Sequence, residues 1–296
     1  CSYDAAAVPE GHSQFDALAE GVEDRDTLRP IPAGTDVSAL VYTSGTTVRP
    51  KGVVHTHAND IAIAMNCVME YGLHHIDNAL HIAPLYHVGG MQAFFLPHLM
   101  VGGTNVVMGR YNALETLQTI NSERITTLFA VPTQIQEMLL HLEFPKIDTS
   151  SLQMITTGGA AISSAVMERV IREFCPKIYN GYGMTEASLA LVLHPEDALR
   201  KLGSCGKPTL ISECRVINRD PDAVPSQVVA PGEVGQLIVR GPQAMGGYWN
   251  NPVETAKKLR AGWVYSGDLF SKDDEGFYYF HGRADDMIVS GGENIY

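Results

Sequence analysis

The chain has 296 residues, 45% of them hydrophobic and 18% charged, which is typical of a globular protein with one large or two smaller domains. The net charge of −12 disfavours a nucleic-acid-binding surface, because phosphate backbones require clustered lysine and arginine. The five cysteines are scattered without a CxxC pair, so neither a disulfide framework nor a zinc site is indicated. No apolar run reaches the length of a membrane span; we expect a cytoplasmic protein and leave homo-oligomerisation open.

Between residues 38 and 183, short β-branched apolar runs alternate with segments whose apolar residues have helical spacing. This alternation predicts βαβ units with right-handed crossovers, and therefore an α/β fold with a mostly parallel sheet and flanking helices. The predicted elements are, in chain order, strands 38–43 and 104–108, helix 113–123, strand 126–130, helix 132–142, strand 154–158, helix 163–174 and strand 177–180.

The pattern changes near residue 200. Three strand-like segments, 213–219, 235–241 and 276–282, are separated by Gly, Pro and Asp turns with little helix. They predict a smaller antiparallel β-rich subdomain. The predicted division is an α/β subdomain over 1–200, a β-rich subdomain over 201–281 and the start of a hinge over 282–296.

The segment YTSGTTVRPKG, residues 42–52, places five small or hydroxyl-bearing residues in front of a lysine. Backbone N–H groups and hydroxyls that face an oxyanion, together with the Lys51 charge, suit a polyphosphate. The segment is not a Walker P-loop, because the second glycine and the Ser or Thr after the lysine are missing. Taken alone, it is equally consistent with a polar loop between two strands.

A second segment, NGYGMTE at 180–186, follows a predicted strand. It offers an aromatic ring at Tyr182, a hydroxyl at Thr185 and a carboxylate at Glu186. These groups can stack on a base, hold a phosphate oxygen and bind Mg²⁺, which prefers oxygen ligands. The alternative is that Glu186 is a solvated acid at the start of a helix.

Two further segments lie near the C-terminal end of the sequence. WVYSGDL at 263–269 places Asp268 after a glycine, where its carboxylate can accept hydrogen bonds from a ribose diol. An ordinary turn aspartate is the alternative. GRADDMIVSGGEN at 282–294 combines Arg283 with two acids and a glycine pair, and is consistent with either a turn or a hinge.

In this order and spacing, the four segments resemble the core motifs of the adenylate-forming (acyl-activating) enzyme superfamily. That superfamily includes acyl-CoA synthetases, luciferases and peptide-synthetase adenylation domains. The motifs span residues 42–296, nearly the whole chain. The resemblance implies a fragment of the family's large N-terminal domain. It also implies that a carboxylic acid reacts with ATP, in the presence of Mg²⁺, to give an acyl-adenylate that passes to coenzyme A.

The resemblance also implies a role for each matching residue. Residues of the first motif would surround the β- and γ-phosphates of ATP, and Tyr182 would lie against adenine. Thr185 would hold the α-phosphate, Glu186 would bind Mg²⁺, and Asp268 would accept hydrogen bonds from the ribose hydroxyls. The implied catalytic set is Lys51, His87, Thr185 and Glu186, and the implied cofactor-binding set is Thr43, Ser44, Gly45, Thr46, Thr47, Lys51, Gly181, Tyr182, Thr185, Asp268 and Arg283.

The acid pocket is implied by two more segments. PLYHVGG at 84–90 resembles the family segment that carries a gating aromatic residue or histidine, here His87. Peptide-synthetase adenylation domains typically have an Asp there for the substrate ammonium; its absence disfavours an amino acid. TTGGAAIS at 156–163 would form another wall, and a fatty or aryl acid fits best. Without the family, His87 is equally consistent with a buried structural histidine. The implied pocket residues are His87, Val88, Gly89, Gly158, Gly159, Ala160 and Met184.

Asp285 is the implied hinge residue, and the sequence ends soon after it. We therefore expect a fragment whose C-terminal domain, with the family's catalytic lysine, is absent and whose activity alone is impaired. Two alternatives remain open. One is a non-catalytic module that binds a nucleotide or acyl-adenylate, and the other is an adenylate-forming relative with a different acceptor, such as a luciferase or a peptide-synthetase adenylation domain.

The first motif departs from the family at Val48, where glycine is usual. If this position requires a positive φ, a β-branched residue costs about 1–2 kcal/mol. We therefore expect Val48→Gly to tighten ATP binding, which calorimetry on the two proteins would measure. Equal dissociation constants would contradict this prediction.

Overall fold

One long mixed sheet carries most of the strands that the sequence predicts. The computed structural model describes residues 31–43, 50–284, 288–290 and 293–295. The strands are β1 (Val37–Thr43), β2 (Lys51–Thr56), β3 (Asn78–His81), β4 (Thr104–Val107), β5 (Thr127–Phe129), β6 (Met154–Gly158), β7 (Ile178–Met184), β8 (Ser188–Leu193), β9 (Ser204–Pro208), β10 (Glu213–Ile217), β11 (Gly235–Arg240), β12 (Gly247–Tyr248), β13 (Leu259–Arg260), β14 (Trp263–Lys272), β15 (Tyr278–Arg283), β16 (Ile288–Ser290) and β17 (Glu293–Ile295).

Helices pack against both faces of the parallel strands, since neighbouring β6 residues Ile155 and Met154 belong to two different apolar clusters that each include helix residues. None of those in the described part of the chain combines the length and apolarity that crossing a bilayer requires. They are α1 (His57–Tyr71), α2 (Ala113–Ser122), α3 (Pro132–Leu140), α4 (Ser164–Glu173), α5 (Pro252–Lys258), a short 3-10 turn (Phe144–Lys146) and a helical segment made of Val88–Gly90, a π-helical turn Met91–Phe95 and Leu96–Met100.

The parallel half of the sheet has the strand order β4-β3-β5-β6-β7. Every residue of β6 is buried, as expected for a strand covered on both faces. The helices α2 and α4 begin at the caps Asn112 and Ser163, whose side chains accept hydrogen bonds from backbone N–H groups of the first turn. Their apolar residues, such as Leu117 and Val170, enter the core that the parallel strands share.

The antiparallel half continues the same sheet. β7 pairs with β8, β8 with β9, and the order continues through β15, β14 and β11 to β10. The segments 213–219, 235–241 and 276–282 supply β10, β11 and β15, so the predicted antiparallel strands are confirmed. The α/β class with a mostly parallel sheet is likewise confirmed. The domain boundaries at 200 and 281 stay predictions.

The predicted strand 38–43 is confirmed as a strand, but its expected place in the parallel sheet was wrong. It forms β1, which lies outside the parallel sheet, in a three-stranded sheet with the order β1-β2-β12. The pairing of β1 with β2 is antiparallel, and Thr43 lies opposite Lys51. The physical reason is length, since the segment 44–50 is shorter than the connection of about a dozen residues that a parallel pair requires.

Several elements were missed, above all α1. This helix starts at the N-cap Thr56, which forms a reciprocal capping box with Asn59, and it ends at Gly72 with φ of 62°. β2, β3 and β8 were also missed. β8 is buried throughout, so its sequence SLALVL shows none of the alternation that marks a strand with one exposed face.

Gly206 on β9 allows this strand to approach β8 closely within the antiparallel half of the sheet. A Cβ atom there would lie 1.9 Å from the carbonyl oxygen of Val192 on β8, and its φ is +87°. Gly203 has a similar φ of +82°, but nothing lies within 4 Å of its added Cβ. Comparing alanine substitutions at Gly203 and Gly206 therefore separates the cost of a positive φ from the cost of a backbone collision.

We predict that Gly203→Ala lowers the free energy of unfolding by about 1–2 kcal/mol through its positive φ alone. Gly206→Ala should lower it by clearly more, because β8 and β9 must also separate. Urea unfolding of both variants measures the difference. Equal losses would show that the sheet accommodates a side chain at this junction.

Candidate active site

A cleft of about 650 Å³ opens where the parallel strands end. Its walls include Phe129, Gly158 and Met184, which lie at the carboxyl ends of β5, β6 and β7. Ligands of parallel α/β sheets bind at such ends. The residues that line the cleft among those predicted from sequence are Thr43, His87, Val88, Gly89, Gly158, Gly159, Gly181, Met184, Thr185, Glu186 and Arg283.

The other predicted residues fall into three groups. Lys51, Tyr182 and Asp268 do not line the cleft but contact residues close to it, as described below. Ala160 lies in an exposed turn after β6 and is not among the lining residues. Ser44, Gly45, Thr46, Thr47, Val48 and the hinge residue Asp285 lie outside the described residues.

One end of the cleft is lined by apolar and aromatic groups, including Phe129. Glycine at 89 leaves space at this end, because a Cβ there would lie 3.3 Å from both the Phe129 and His87 rings. A Cβ at Gly158 would lie 2.5 Å from the carbonyl oxygen of Gly181, so glycine there allows β6 and β7 to pair closely. His87 is exposed, and its Nδ1 accepts a hydrogen bond from the Gly89 N–H at 3.1 Å. The alternative of a buried structural histidine is therefore wrong.

Three buried hydroxyl groups belong to residues that line the cleft. They are those of Thr156 and Thr157 on β6 and of Ser188 at the start of β8. None has a hydrogen-bond partner among the described residues. Because a buried hydroxyl without a partner costs about 1–3 kcal/mol, these groups are suited to the polar atoms of a ligand.

The turn between β7 and β8 carries Thr185 and Glu186 and is held from outside. His55 on β2 has its Nε2 at 3.0 Å from the carbonyl oxygen of Thr185, and the Met245 N–H donates to that of Glu186 at 2.9 Å. Burial lowers the pKa of His55, which favours the neutral ring. Glu186 sits in this hairpin turn between two strands, so the alternative of a solvated acid at a helix start is wrong.

Lys51 is connected to Glu186 through Tyr248. The Tyr248 hydroxyl donates to Glu186 Oε1 at 2.6 Å, and Lys51 Nζ lies 5.0 Å from the centre of the Tyr248 ring. The same Nζ forms an ion pair with Glu254 Oε2 at 3.2 Å. Burial, followed by the Glu186 carboxylate, raises the pKa of Tyr248, so the phenol remains a proton donor.

Asp268 is buried beside two of its predicted partners. The Tyr182 hydroxyl donates to Asp268 Oδ2 at 2.5 Å, and the Tyr182 ring packs edge-on against Phe270. Arg283 Nη1 lies 3.3 Å from Asp268 Oδ1, within ion-pair distance. That contact lacks hydrogen-bond geometry, so Oδ1 is a buried oxygen without a hydrogen bond among the described residues. It can accept hydrogen bonds from a ligand.

Burial raises the pKa of the Asp268 carboxyl, although the Tyr182 hydrogen bond and the Arg283 charge oppose this effect. The pKa of Tyr182 is raised as well, first by burial and then by the Asp268 carboxylate. The pair is therefore a neutral phenol donating to a carboxylate whose charge is costly to bury.

Sequence reasoning missed Lys258, Tyr248 and His55. Lys258, the last residue of α5, lines the cleft next to Ser266 and Arg283. It belongs to none of the four motifs, and its available signal was a lysine pair shortly before the strand that carries Asp268. Tyr248 and His55 act through contacts with residues far away in the sequence, which no local pattern indicates.

Residues 2–249 match the model of the AMP-binding enzyme family. The chain therefore belongs to this family, and the membership predicted from the four motifs is confirmed.

Several curated relatives carry the names of enzymes that form coenzyme A thioesters. Feruloyl-CoA synthase from an Amycolatopsis species is 38% identical over 268 residues, which cover 90% of this chain and 53% of that protein. Indoleacetate–CoA ligase from Aromatoleum aromaticum is 36% identical over 294 residues, which cover 98% of this chain and 56% of that protein. The chain thus spans about half the length of these curated relatives.

A solved structure shows the same fold. O-succinylbenzoate coenzyme A synthetase from Bacillus subtilis, in complex with AMP, matches with a TM-score of 0.81 and 34% identity. The match covers 89% of this chain and 53% of that one. The long mixed sheet is thus an arrangement shared with a solved ligase.

The raised pKa of Asp268 gives a stability prediction. The folded chain binds the proton of the Asp268 carboxyl more tightly than the unfolded chain does. The stability that the protonated carboxyl contributes is therefore present at low pH and is lost as pH rises through the raised pKa. We expect the stability of Asp268→Asn, relative to the unchanged protein, to increase as pH rises from about 4, the ordinary value for aspartate, through the raised pKa. Thermal unfolding across that range measures it.

Asp148→Asn is the control with the opposite sign. Hydrogen bonds from Ser150, followed by Arg124, lower the pKa of this exposed carboxyl. Its variant should therefore lose stability relative to the unchanged protein as pH rises. A difference for Asp268→Asn that stays constant with pH would contradict the prediction.

Proposed function

We propose that this chain forms the nucleotide- and acid-binding part of an ATP-dependent, AMP-forming acid–thiol ligase. Its reaction would convert an aryl or fatty acid to an acyl-adenylate and then to a coenzyme A thioester. The observation that supports this most directly is the cleft itself, where an apolar end around Phe129 is continuous with a charged end containing Glu186, Lys258 and Arg283. An acid and a nucleotide can therefore meet in one space.

At the charged end, Asp268 would accept hydrogen bonds from the ribose diol. Its Oδ1 has accepting capacity, while Oδ2 is held by Tyr182. The Tyr182 ring would contact adenine, and Arg283 would contact ribose or phosphate. In this proposal β14 and β15 complete the nucleotide site, which gives the predicted β-rich subdomain its role.

The phosphates would lie near the turn that carries Thr185 and Glu186. Thr185 would donate a hydrogen bond from its hydroxyl to the α-phosphate, and Lys51 would contact the β- and γ-phosphates together with residues 44–47, three of which carry hydroxyls. A solved relative is described as a complex with ATP and magnesium ion, which supports both ligands here. Lys51 would have to exchange its Glu254 partner for phosphate oxygens.

The donor set fits a magnesium ion shared with the phosphates. The described residues hold no group of three or more His, Cys, Asp or Glu that could bind a metal alone. Mg²⁺ is commonly bound by one or two carboxylates together with substrate phosphates and water. Glu186 lines the cleft and would supply that carboxylate, held in place by Tyr248. The bound ion would neutralise phosphate charge.

The apolar end would bind the acid. Phe129, Tyr71 and Ala93 are among the lining residues, and glycine at 89 leaves space beside the Phe129 ring. A flat ring suits a space between aromatic side chains. Curated relatives named for feruloyl and indoleacetate substrates support an aryl acid, whereas a relative named as a medium/long-chain-fatty-acid–CoA ligase keeps a fatty acid in consideration. A role in cytoplasmic aryl- or fatty-acid metabolism would follow.

In the proposed reaction, a carboxylate oxygen of the acid attacks the α-phosphorus. The bond from this phosphorus to the bridging oxygen breaks, and pyrophosphate leaves with the electron pair. A coenzyme A thiolate then attacks the acyl carbon, and AMP leaves. The first step needs alignment and charge neutralisation more than a protein nucleophile. Thr185, Lys51 and Arg283 would supply these, with His87 positioned at the rim beside the acid.

The test is calorimetric binding of non-hydrolysable acyl-adenylate mimics to this chain. We expect an aryl mimic to bind more tightly than AMP, and Asp268→Ala to weaken its binding by about tenfold or more through the lost ribose hydrogen bonds. The aryl mimic should also bind more tightly than one with a long alkyl chain.

Asp274→Ala is the matched control, because Asp274 is an exposed aspartate in the turn after β14. It should bind the mimic as the unchanged chain does. No binding by a chain that unfolds cooperatively would overturn the proposed function. Equal binding by the Asp268→Ala variant would remove Asp268 from the site.

A further inference from the structure

Lys258 has no role in the site as proposed so far. It ends α5 and lines the cleft, and its Nζ donates a hydrogen bond to the carbonyl oxygen of Ser266 at 2.6 Å. Ser266 lies on β14, two residues before Asp268. The hydrogen bond therefore fixes the ammonium group next to the part of the strand that would hold ribose.

Gly267 shows that two cations converge on this point. A Cβ atom at this residue would lie 3.8 Å from Arg283 Nη2 and 4.0 Å from Lys258 Nζ. Gly267 has a φ of +78°, a conformation that glycine adopts readily. The Lys258 ammonium and the Arg283 guanidinium thus both lie close to Gly267, near the position that a Cβ atom would occupy in another residue.

The charges around this end are unevenly paired. Lys51 forms an ion pair with Glu254, and Arg283 forms one with Asp268. For Lys258, no carboxylate of the described residues lies within ion-pair distance, and its hydrogen bond goes to a backbone carbonyl. Burial accordingly lowers the pKa of its ammonium. A cation in such a cleft gains most from an anion that a ligand brings.

We propose that Lys258 binds the α-phosphate of the nucleotide. The inference rests on the proposed function, which supplies the anion. It follows from position, because the α-phosphate is joined to the ribose that Asp268 would hold, and Lys258 is attached to the same strand two residues earlier. The second anion of the reaction, the carboxylate of the acid, is the competing partner.

The experiment compares AMP with adenosine, which lacks the phosphate, by calorimetry on the chain and on Lys258→Met. The variant keeps most of the length of the side chain and removes its charge. We expect it to weaken AMP binding by about tenfold or more, as for the loss of a charge-assisted hydrogen bond. Adenosine binding should change by less than about twofold.

Two further variants sharpen the comparison. Lys146→Met removes an equal charge from an exposed residue that pairs with Glu143 outside the cleft, and AMP binding should not change. Lys258→Arg retains the charge and should recover part of the AMP affinity. Urea unfolding of Lys258→Met checks that its fold persists, and Lys258→Arg provides the answer if the methionine variant does not fold.

Each other outcome has a distinct meaning. Unchanged AMP binding by Lys258→Met would overturn the inference while leaving the proposed function intact. An equal loss for AMP and adenosine would also overturn it, because Lys258 would then act by holding Ser266 in place. If the unchanged chain bound neither AMP nor adenosine, the proposed function would fail, and this inference with it.

Discussion

The cleft depends on the backbone hydrogen bonds that join the parallel strands and the antiparallel ones into one continuous sheet. β8 leaves the end of β7 through a tight turn, and β9 pairs with both β8 and β15. β14 is thereby held at a fixed register relative to β7. This is why the Tyr182 hydroxyl reaches Asp268, 86 residues further along the chain. Separating β8 from β9 would separate the two halves of the charged end.

A second property of the cleft is that several of its polar groups are costly to bury. Asp268 has a raised pKa, Lys258 has a lowered one, and the hydroxyls of Thr156 and Thr157 have no partner among the described residues. In each case burial opposes the charged or polar form, and a ligand that supplied the missing partner would relieve the cost. Local instability of this kind is expected where binding takes precedence over folding.

The fold was predictable where the sequence had a clear period. The amphipathic helices α2, α3 and α4 lie within one or two residues of their predicted bounds, because an apolar stripe at helical spacing is a local signal. β8 and the sheet assignment of β1 were not predictable in this way, since they depend on pairing partners and connection length. The same distinction holds for the site. The local motif pointed to Thr185 and Glu186, which line the cleft, whereas Tyr248 contacts Glu186 across 62 residues of sequence, which no local pattern indicates.

The arrangement also indicates how binding and orientation are related. The apolar end is formed by residues at the carboxyl ends of β5 and β6, and the charged end by the β7–β8 turn, Lys258 and β15. All of these belong to one hydrogen-bonded sheet or are attached to it by α5. The distance between a bound acid and a bound nucleotide would therefore be fixed by the sheet register. Because such alignment can account for much of a rate enhancement in bimolecular reactions, a change at Gly206, which does not line the cleft, would misalign both.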